Sequence, residues 1–263
     1  MYNFIRKVIS FIYQFLLTVY ISSKYKNISF NLNQINLAKL KIILLDKNIN
    51  LKWKNFLNKI KKIKFHKNSG GININDQKFL FFMICYFKPK RILEIGTHLG
   101  HSLNVMASAL KYSKLKDGTI DTVDIYNVNK KNSFVHFNKL LSPIQLLKNN
   151  DIKNKIFFHT CGSDFFFEKK QKKFDFIFVD GNHTVDQTYK DIINSIKFIN
   201  KNGIIIIHDY YKIQNIFDFI KKIVGPFYSL KLINQKLDGK ISIIQILKLG
   251  SLIRKKTTLA LLK

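Results

Sequence analysis

The stretch Arg91–Ser102 combines residue types that can build a pocket for a nucleotide-like ligand. Its sequence, RILEIGTHLGHS, predicts a short buried strand, a tight turn between Gly96 and Gly100, and then the start of a helix. Glycines let the backbone approach a ligand closely, and the free N–H groups at a helix start can face that ligand. An ordinary turn between a strand and a helix has the same local appearance, so this segment alone leaves both interpretations open.

The spacing within the segment narrows the class of ligand. A dinucleotide-binding turn has the pattern G-x-G-x-x-G, whereas here His98 takes the place of the middle glycine. The pattern E-x-G-x-x-x-G-x-S resembles motif I of class I S-adenosylmethionine (SAM) methyltransferases, in the EIG-x-x-x-G-x-S form of small-molecule O-methyltransferases. The resemblance implies that six residues of the motif bind the cofactor: Glu94, Gly96, Thr97, His98, Gly100 and Ser102.

The next two predicted strands also end in residues suited to an adenosyl group. A ligand of a doubly wound sheet lies over the carboxyl ends of the strands. The second strand ends at Asp124, beside Ile125, and an acidic residue there can accept hydrogen bonds from ribose hydroxyls. The third is followed by Gly162, Ser163 and Asp164, and either Ser163 or Asp164 could meet the adenine ring.

The fourth and fifth predicted strands end in acidic and imidazole groups. Asp180, which is also predicted to bind the cofactor, ends the fourth strand, with His183 shortly after it, and His208 and Asp209 end the fifth. Each residue has an ordinary interpretation, since Asp and Gly are common in turns after strands and a lone His is usually a satisfied polar residue. Acid, glycine or imidazole at five successive strand ends favours a cofactor site over coincidence.

The elements that must position these residues alternate along the chain. Strands are predicted at Arg91–Ile95, Thr119–Asp124, Lys155–Thr160, Phe174–Asp180 and Ile204–His208. Helices are predicted at Gln77–Tyr86, His101–Tyr112, Ser133–Leu141, Val185–Ile199 and Ile213–Ile223, after two helices within residues 33–64. Such alternation predicts a parallel sheet covered by helices on both faces.

The end of the chain predicts a different connection. Tyr228–Ile233 and Ile241–Ile246 are predicted strands joined across Asp238-Gly239, which is typical of a hairpin. A parallel sheet closed by an antiparallel strand resembles the class I methyltransferase sheet. The predicted fold is therefore α/β and Rossmann-like, with a doubly wound, mostly parallel seven-stranded sheet that ends in an antiparallel hairpin and carries an N-terminal helical extension.

A second resemblance extends over the later strands. The segments FDFIFVDGNH and GIIIIHD resemble the methyltransferase branch with VDG-x-H and G-G-x-x-x-x-H-D signatures, which is similar to catechol-type and antibiotic-sugar O-methyltransferases. Asn202 takes the place of the first glycine. In metal-using relatives, acidic residues after the fourth and fifth strands hold Mg²⁺, which implies Asp180 and Asp209 as ligands of Mg²⁺ or another divalent cation. His208 stands where some relatives have a third, carboxylate ligand, and imidazole suits a hard cation less well, so metal dependence stays open.

The predicted catalytic residues are His183, Asp180 and His208. Methyl transfer to oxygen requires a hydroxyl in line with the S–CH₃ bond, and a base or a metal that eases its ionisation. His183 is the first candidate for the base because an imidazole titrates near neutral pH, and His208 is the second. The alternative role of His183 is to orient Asp180 from the start of a helix.

The amino-acid composition restricts the functional classes to which the protein can belong. The net charge is +29, but the arginines are only Arg6, Arg91 and Arg254, which weakens a nucleic-acid interpretation because Arg is favoured in phosphate and base contacts. The excess of Lys, Asn, Ile and Phe is typical of an AT-rich coding sequence. Cys85 and Cys161 fit no metal spacing and are predicted as small buried residues in a reducing, cytoplasmic compartment.

The N-terminal part predicts a contact surface without chemistry. Residues 3–22 form an amphipathic helix in the prediction, because their polar residues recur at steps of three or four, and a signal anchor is the alternative. Such a helix could pack on a second subunit or lie on the inner face of a membrane. The predicted organisation is a helical extension over residues 1–69, a SAM-binding domain over 70–249 and a basic tail over 250–263.

Three functional hypotheses follow from these patterns. The first is a SAM-dependent methyltransferase acting on a hydroxyl of a small or sugar-like acceptor, with N- or C-methylation left open. The second is an NAD(P)-dependent oxidoreductase, which lacks its glycine fingerprint here. The third is a non-catalytic protein that binds a membrane or nucleic acid through its lysines.

Overall fold

The computed structural model describes residues 12, 16, 35–60, 71–130, 141–169, 172–211, 224–236, 243–245 and 259–262. The helices in these ranges are α1 (Leu37–Leu45), α2 (Lys47–Ile60), α3 (Ile74–Phe87), α4 (His101–Tyr112), α5 (Pro143–Asn149), α6 (Ser163–Lys169), α7 (Val185–Phe198) and α8 (Gly225–Lys236). The strands are β1 (Arg91–Ile95), β2 (Thr119–Asp124), β3 (Lys155–Thr160), β4 (Phe174–Val179), β5 (Ile199–Ile207), β6 (Ile243–Gln245) and β7 (Ala260–Leu262).

The strands form one seven-stranded sheet in the order β3-β2-β1-β4-β5-β7-β6. The pairs among β1 to β5 are parallel, and β7 runs antiparallel to both β5 and β6. The predicted fold class is therefore confirmed, including the antiparallel end of the sheet. Because β1 lies between β2 and β4, the chain reverses its direction of winding at β1, and the carboxyl ends of these three strands face one crevice.

The central strands are apolar on both faces because helices cover both sides of the sheet. In β4, Phe176 and Phe178 belong to one hydrophobic cluster, while Ile177 and Val179 belong to the other. Successive side chains of a strand point to opposite faces, so a strand buried on both sides has a continuous apolar run. The run FDFIFV is such a strand.

Helices α1 to α4 share the hydrophobic cluster on the first face of the sheet. Trp53 and Phe56 of α2 contact Phe81 of α3, with ring centroids 5.4 and 5.5 Å apart, respectively. The two predicted helices within residues 33–64 are thus present, and they pack on the same core as the sheet. Helices α6 and α7 contribute to the cluster on the opposite face, together with residues of α8.

The predicted strand Tyr228–Ile233 is wrong, because these residues belong to helix α8. The helix begins at Gly225-Pro226, and proline in the first turn favours a helix since its fixed φ suits that position. Leu230 and Ile233 are fully buried at a spacing of three residues, which fits one face of a helix. The spacing of the buried residues and the proline indicate a helix, whereas the apolar content of the segment also suits a strand.

The antiparallel end of the sheet is built from other residues than predicted. Ile243–Gln245 confirms part of the predicted strand Ile241–Ile246, but its partner is Ala260–Leu262. The prediction placed these last residues in a basic tail beyond the domain. They instead lie between β5 and β6, and Leu259 to Leu262 are at most 1% exposed. Strands β5 and β7 are far apart in the sequence, so no local turn residues predict their pairing.

Some predicted elements lie outside the described residues. They are most of the amphipathic helix over residues 3–22, nearly all of the helix Ser133–Leu141, the helix Ile213–Ile223 and the turn at Asp238-Gly239. Within the described ranges, none of the helices combines the length and the apolar character that a bilayer-spanning segment needs.

Candidate active site

A cleft of about 540 Å³ opens at the carboxyl ends of β1 to β4. Most of the residues that line it follow one of these strands directly. The lining residues are Ile95, Gly96, His98, Val123, Asp124, Ile125, Tyr126, Cys161, Gly162, Ser163, Asp164, Asp180, Gly181, Asn182, His183, Gln187 and Asp191. Eight of the predicted cofactor-binding residues therefore lie together: Gly96, His98, Asp124, Ile125, Gly162, Ser163, Asp164 and Asp180.

Gly96 allows three strands to meet at the floor of the cleft. Its N–H donates to the carbonyl of Val123, and its φ is +94°, a conformation that favours glycine. A Cβ at this position would lie 2.1 Å from the carbonyl oxygen of Asp180. Any side chain would force β1 and β4 apart, so the first glycine of the motif is required by the packing of the backbone itself.

Asp124 is held in a defined orientation by backbone N–H groups. One carboxylate oxygen accepts a hydrogen bond from the N–H of His98 at 2.8 Å, and the other accepts one from Tyr126 at 2.9 Å. The residue is half-buried and lines the cleft. A carboxylate oxygen can accept more than one hydrogen bond, so each oxygen retains capacity for a ligand hydroxyl.

Glu94, Thr97 and Ser102 of the motif lie behind the cleft and not on its wall. The two carboxyl oxygens of Glu94 are bonded to the hydroxyls of Ser102 and Thr122 at 2.5 and 2.6 Å, and Thr97 bonds to Thr122 at 2.6 Å. Glu94 is fully buried, and Gly100 faces Pro143. The contact of Glu94, Thr97, Gly100 and Ser102 with the cofactor stays a prediction, and none of these four residues lines the cleft.

Burial raises the pKa of Glu94 from 4.5 to about 8, although hydrogen bonds from Ser102 and Thr122 act in the opposite direction. The folded protein therefore keeps this proton at neutral pH, whereas the unfolded chain loses it near pH 4.5. Since the folded state binds more protons across this window, the contribution of Glu94 to stability falls as pH rises from about 4.5 to about 8.

We expect Glu94→Gln to flatten this part of the pH dependence. The amide cannot ionise, so the loss of stability between pH 5 and pH 8 should shrink by a few kcal/mol at most, measured by urea unfolding at each pH. The exposed Glu168→Gln is the matched control and should behave like the wild type. An identical pH slope in Glu94→Gln and the wild type would show that Glu94 ionises normally.

Asp191 and Gln187 of α7 also line the cleft, where they contact Ser163 after β3, and we call this part of the cleft its far end. The sequence analysis assigned these two residues no role. The hydroxyl of Ser163 donates to Asp191 at 2.5 Å, and the amide of Gln187 donates to both residues at 3.0 Å. Burial raises the pKa of Asp191 to about 6, against the effect of these hydrogen bonds. Their spacing of four residues puts Gln187 and Asp191 on one face of α7, which was the available signal.

Asp180 and His183 line the cleft after β4, and Asp209 after β5 lies beside His183; we call this part of the cleft its near end. One potential ligand atom from each residue lies within 4.8 Å of the others, and Nε2 of His183 is 3.4 Å from a carboxylate oxygen of Asp209. Two carboxylates and one imidazole suit a divalent transition metal such as Mn²⁺ at least as well as Mg²⁺. The predicted pair Asp180 and Asp209 is thus brought together, and His183 joins it as a third donor.

His208 lies behind Asp180 and is not among the residues that line the cleft. It is 7% exposed, and its Nδ1 is 2.8 Å from a carboxylate oxygen of Asp180. Burial alone would lower the pKa of His208, but Asp180, Asp76 and Asp209 together raise it well above its usual value. The role of His208 as a second base stays a prediction, and the structure shows the ring enclosed and hydrogen-bonded to a carboxylate.

The structure also shows the backbone conformation of Asn202 and the burial of the two cysteines. Asn202 has a φ of +62°, so it adopts the left-handed conformation that the usual glycine would supply, which Asn tolerates better than most residues. Cys85 is buried as predicted, whereas Cys161 is half-buried and lines the cleft. Burial raises the pKa of both thiols, to about 11 for Cys85.

Comparison with known proteins finds a matching family model for part of the chain. Residues 93–210 match the family model of a methyltransferase domain, which agrees with the motifs of the sequence. The match spans β1 to β5 and includes Gly96, Asp124, Asp180 and Asp209. The chain matches no curated protein sequence.

Solved methyltransferases share the fold at low sequence identity. An O-methyltransferase from Bacillus cereus in complex with S-adenosylhomocysteine (SAH) is 15% identical, with a TM-score of 0.54 over 82% of this chain and 90% of that one. The O-methyltransferase TomG from Streptomyces achromogenes, involved in tomaymycin synthesis and in complex with SAM, is 16% identical, with a TM-score of 0.52 over 94% of both chains. A SAH-bound methyltransferase from Podospora anserina is 14% identical, with a TM-score of 0.50 over 90% and 98%.

Proposed function

We propose that the chain transfers the methyl group of SAM to a hydroxyl of a small-molecule acceptor. The observation that carries this proposal is the charge of the cleft. In a chain with 45 basic and 16 acidic residues, four aspartates line the cleft: Asp124, Asp164, Asp180 and Asp191. Among the described residues that line it there is no lysine or arginine.

The sign of this charge distinguishes between the two enzyme hypotheses. SAM carries a positively charged sulfonium and an ammonium group, which a cluster of carboxylates attracts. The pyrophosphate of NAD(P) is an anion, and the same carboxylates would repel it. The acidic lining therefore supports SAM, as do the SAM and SAH bound in structures of the same fold.

The geometry divides the cleft into parts with different tasks. Asp124 is suited to the ribose hydroxyls, and the Ser163–Asp191–Gln187 network at the far end is suited to the adenine ring. The methyl group would then point toward the near end, where Asp180, His183 and Asp209 lie. This arrangement leaves the acceptor beside the imidazole and the two carboxylates.

His183 can then act as the base of the reaction. The acceptor oxygen attacks the methyl carbon, the S–CH₃ bond breaks with its electron pair going to sulfur, and SAH is the product. The hydroxyl proton passes to the imidazole of His183. A divalent cation held by Asp180, His183 and Asp209 would replace this base catalysis, because it would lower the pKa of an acceptor hydroxyl while His183 served as a ligand.

The proposal also covers where the protein is located and which surfaces it contacts. The high net charge would attract anionic surfaces, and the amphipathic helix predicted over residues 3–22 would contact a membrane surface or a second subunit. We propose a cytoplasmic protein that can associate with the inner face of a membrane.

A substitution at Gly162 tests whether this cleft holds the cofactor. A Cβ at Gly162 would meet no atom within 4 Å, so a side chain there would extend into the cleft without straining the fold. We expect Gly162→Leu to weaken SAM binding by about tenfold or more, since overfilling a packed site costs about 1–3 kcal/mol. Isothermal titration calorimetry with SAM measures the change, and a methyl-transfer assay follows SAH release.

The control variant must reproduce the second effect of Gly162→Leu, which is an unfavourable residue at the start of a helix. Gly162 immediately precedes α6, and leucine is a poor residue at a helix N-terminus. Asn36→Leu removes the N-cap of α1, whose side chain bonds to the N–H of Lys39, and should leave SAM binding unchanged. If Gly162→Leu binds SAM with wild-type affinity, this cleft is not the SAM-binding site.

A further inference from the structure

Asp76 is a buried carboxylate that lies outside the part of the chain matched to the methyltransferase domain. It is in the first turn of α3 and is 0% exposed. Its Oδ2 accepts a hydrogen bond from the side chain of Asn73, which is the N-cap of the same helix. The same Oδ2 is 3.4 Å from Nε2 of His208, on a different element of the fold.

Capping a helix does not require such burial. Asp46 precedes α2 and accepts a hydrogen bond from the N–H of Ile49 at 2.8 Å while remaining half-buried. A carboxylate removed entirely from water costs free energy unless it has partners of suitable charge or hydrogen-bonding capacity. Asp76 has such a partner in His208, so its placement serves a contact between α3 and the end of β5.

His208 connects Asp76 to the cleft. The two ring nitrogens of an imidazole point in different directions, and here each faces a carboxylate. Nε2 faces Asp76 at 3.4 Å, and Nδ1 bonds to Oδ1 of Asp180 at 2.8 Å. A contact at one nitrogen fixes the rotation of the ring and thereby the direction in which the other nitrogen donates.

The contact with His208 orients the carboxylate of Asp180. It lines the cleft and is one of the three residues whose ligand atoms gather at the near end. With Oδ1 held by His208, the carboxylate cannot turn freely, and its other oxygen keeps one direction. A displacement of a reacting group by about 1 Å can reduce turnover about 100-fold, so the control of this orientation has a measurable effect.

We propose that Asp76 is a positioning residue for methyl transfer, which acts through His208 to hold the carboxylate of Asp180 in its orientation in the cleft. This inference rests on the proposed function. It also gives α3, which precedes the matched residues 93–210, a part in the active site, because α3 supplies the first of the three connected residues Asp76, His208 and Asp180.

The test compares Asp76→Asn with Asp46→Asn in the full chain. Both variants replace a carboxylate at the start of a helix by its amide, but only Asp76 contacts His208. We expect kcat for Asp76→Asn to fall by about 10- to 100-fold, with KM for SAM and its calorimetric Kd within about twofold of the wild type. Asp46→Asn should keep the wild-type kcat.

A double-mutant cycle separates positioning from a purely structural role. If Asp76 acts through His208, Asp76→Asn should cause little further loss of kcat in a His208→Asn background. Losses that multiply in the double variant would overturn the proposal, as would an Asp76→Asn that matches Asp46→Asn. An Asp76→Asn that does not fold, judged by circular dichroism, would overturn it too, because Asp76 would then be a structural residue.

A spectroscopic readout keeps this inference separate from the proposed function. ¹⁵N NMR of the histidine side chains reports the proton distribution on the His208 ring without any methyl transfer. We expect the His208 signals to change in Asp76→Asn and not in Asp46→Asn, and unchanged signals would overturn the inference. If the wild type fails to bind SAM, the proposed function fails, while the NMR comparison still decides whether Asp76 orients His208.

Discussion

Asp124→Ala should lower the affinity for SAM by about 100-fold, since a hydrogen bond to a charged group is worth about 1.5–3 kcal/mol and the ribose offers two hydroxyls. The carboxylate is already oriented by the N–H groups of His98 and Tyr126. The substitution removes both the acceptor for the ribose and the anchor of the turn that carries His98. Isothermal titration calorimetry with SAM and with SAH measures the loss.

The matched control is Asp117→Ala, in the loop before the same strand. Asp117 is 3.7 Å from Lys90, and the two side chains are 64% and 72% exposed, so its removal should leave the affinity unchanged. Thermal unfolding of Asp124→Ala should show a folded protein. A Kd for SAM within about twofold of the wild type would remove Asp124 from the cofactor site.

His183→Ala should lower kcat by about 100-fold or more, which is the usual contribution of a positioned general base. The imidazole lines the cleft, and its Nε2 is 3.4 Å from Asp209 at the end where the methyl group would lie. Because the residue does not contact the proposed ribose and adenine positions, the Kd for SAM should stay within about twofold of the wild type. Steady-state kinetics and calorimetry on the same preparation measure the two quantities.

His159→Ala provides a closely matched control for this substitution. The side chains of His159 and His183 are both 32% exposed, and His159 also faces an aspartate, with its Nε2 2.7 Å from Asp121. His159 does not line the cleft, so kcat should not change. Equal kcat in His183→Ala and the wild type would assign His183 a structural role at the start of α7.

Local patterns predicted the elements around the cofactor cleft closely. The bounds of β1, β2, β3 and α4 agree with the sequence prediction residue for residue. Each of these strands is short and ends at or close to a glycine or an acidic residue, and these residues mark its boundaries in the sequence. The predicted site residues at their carboxyl ends meet because the sheet is parallel.

The closing strands and the supporting contacts could not be predicted in the same way. Strand β7 gains its neighbours from residues far away in the sequence, and α8 has an apolar composition that also suits a strand. The hydrogen bonds of Glu94 with Ser102 and Thr122 could not be predicted either, because spacing alone does not show which groups a carboxyl faces. The contact between Asp76 and His208 joins elements 132 positions apart, which no local pattern records.

The central claim is that the acidic cleft at the ends of β1 to β4 binds SAM. Its most direct test is calorimetric titration of the wild-type chain with SAH, repeated in the presence of a large excess of NAD⁺ or NADP⁺. We predict saturable binding of one SAH molecule per chain, displaced by SAM and unaffected by either dinucleotide. Absence of SAH binding together with saturable binding of a dinucleotide would contradict the account.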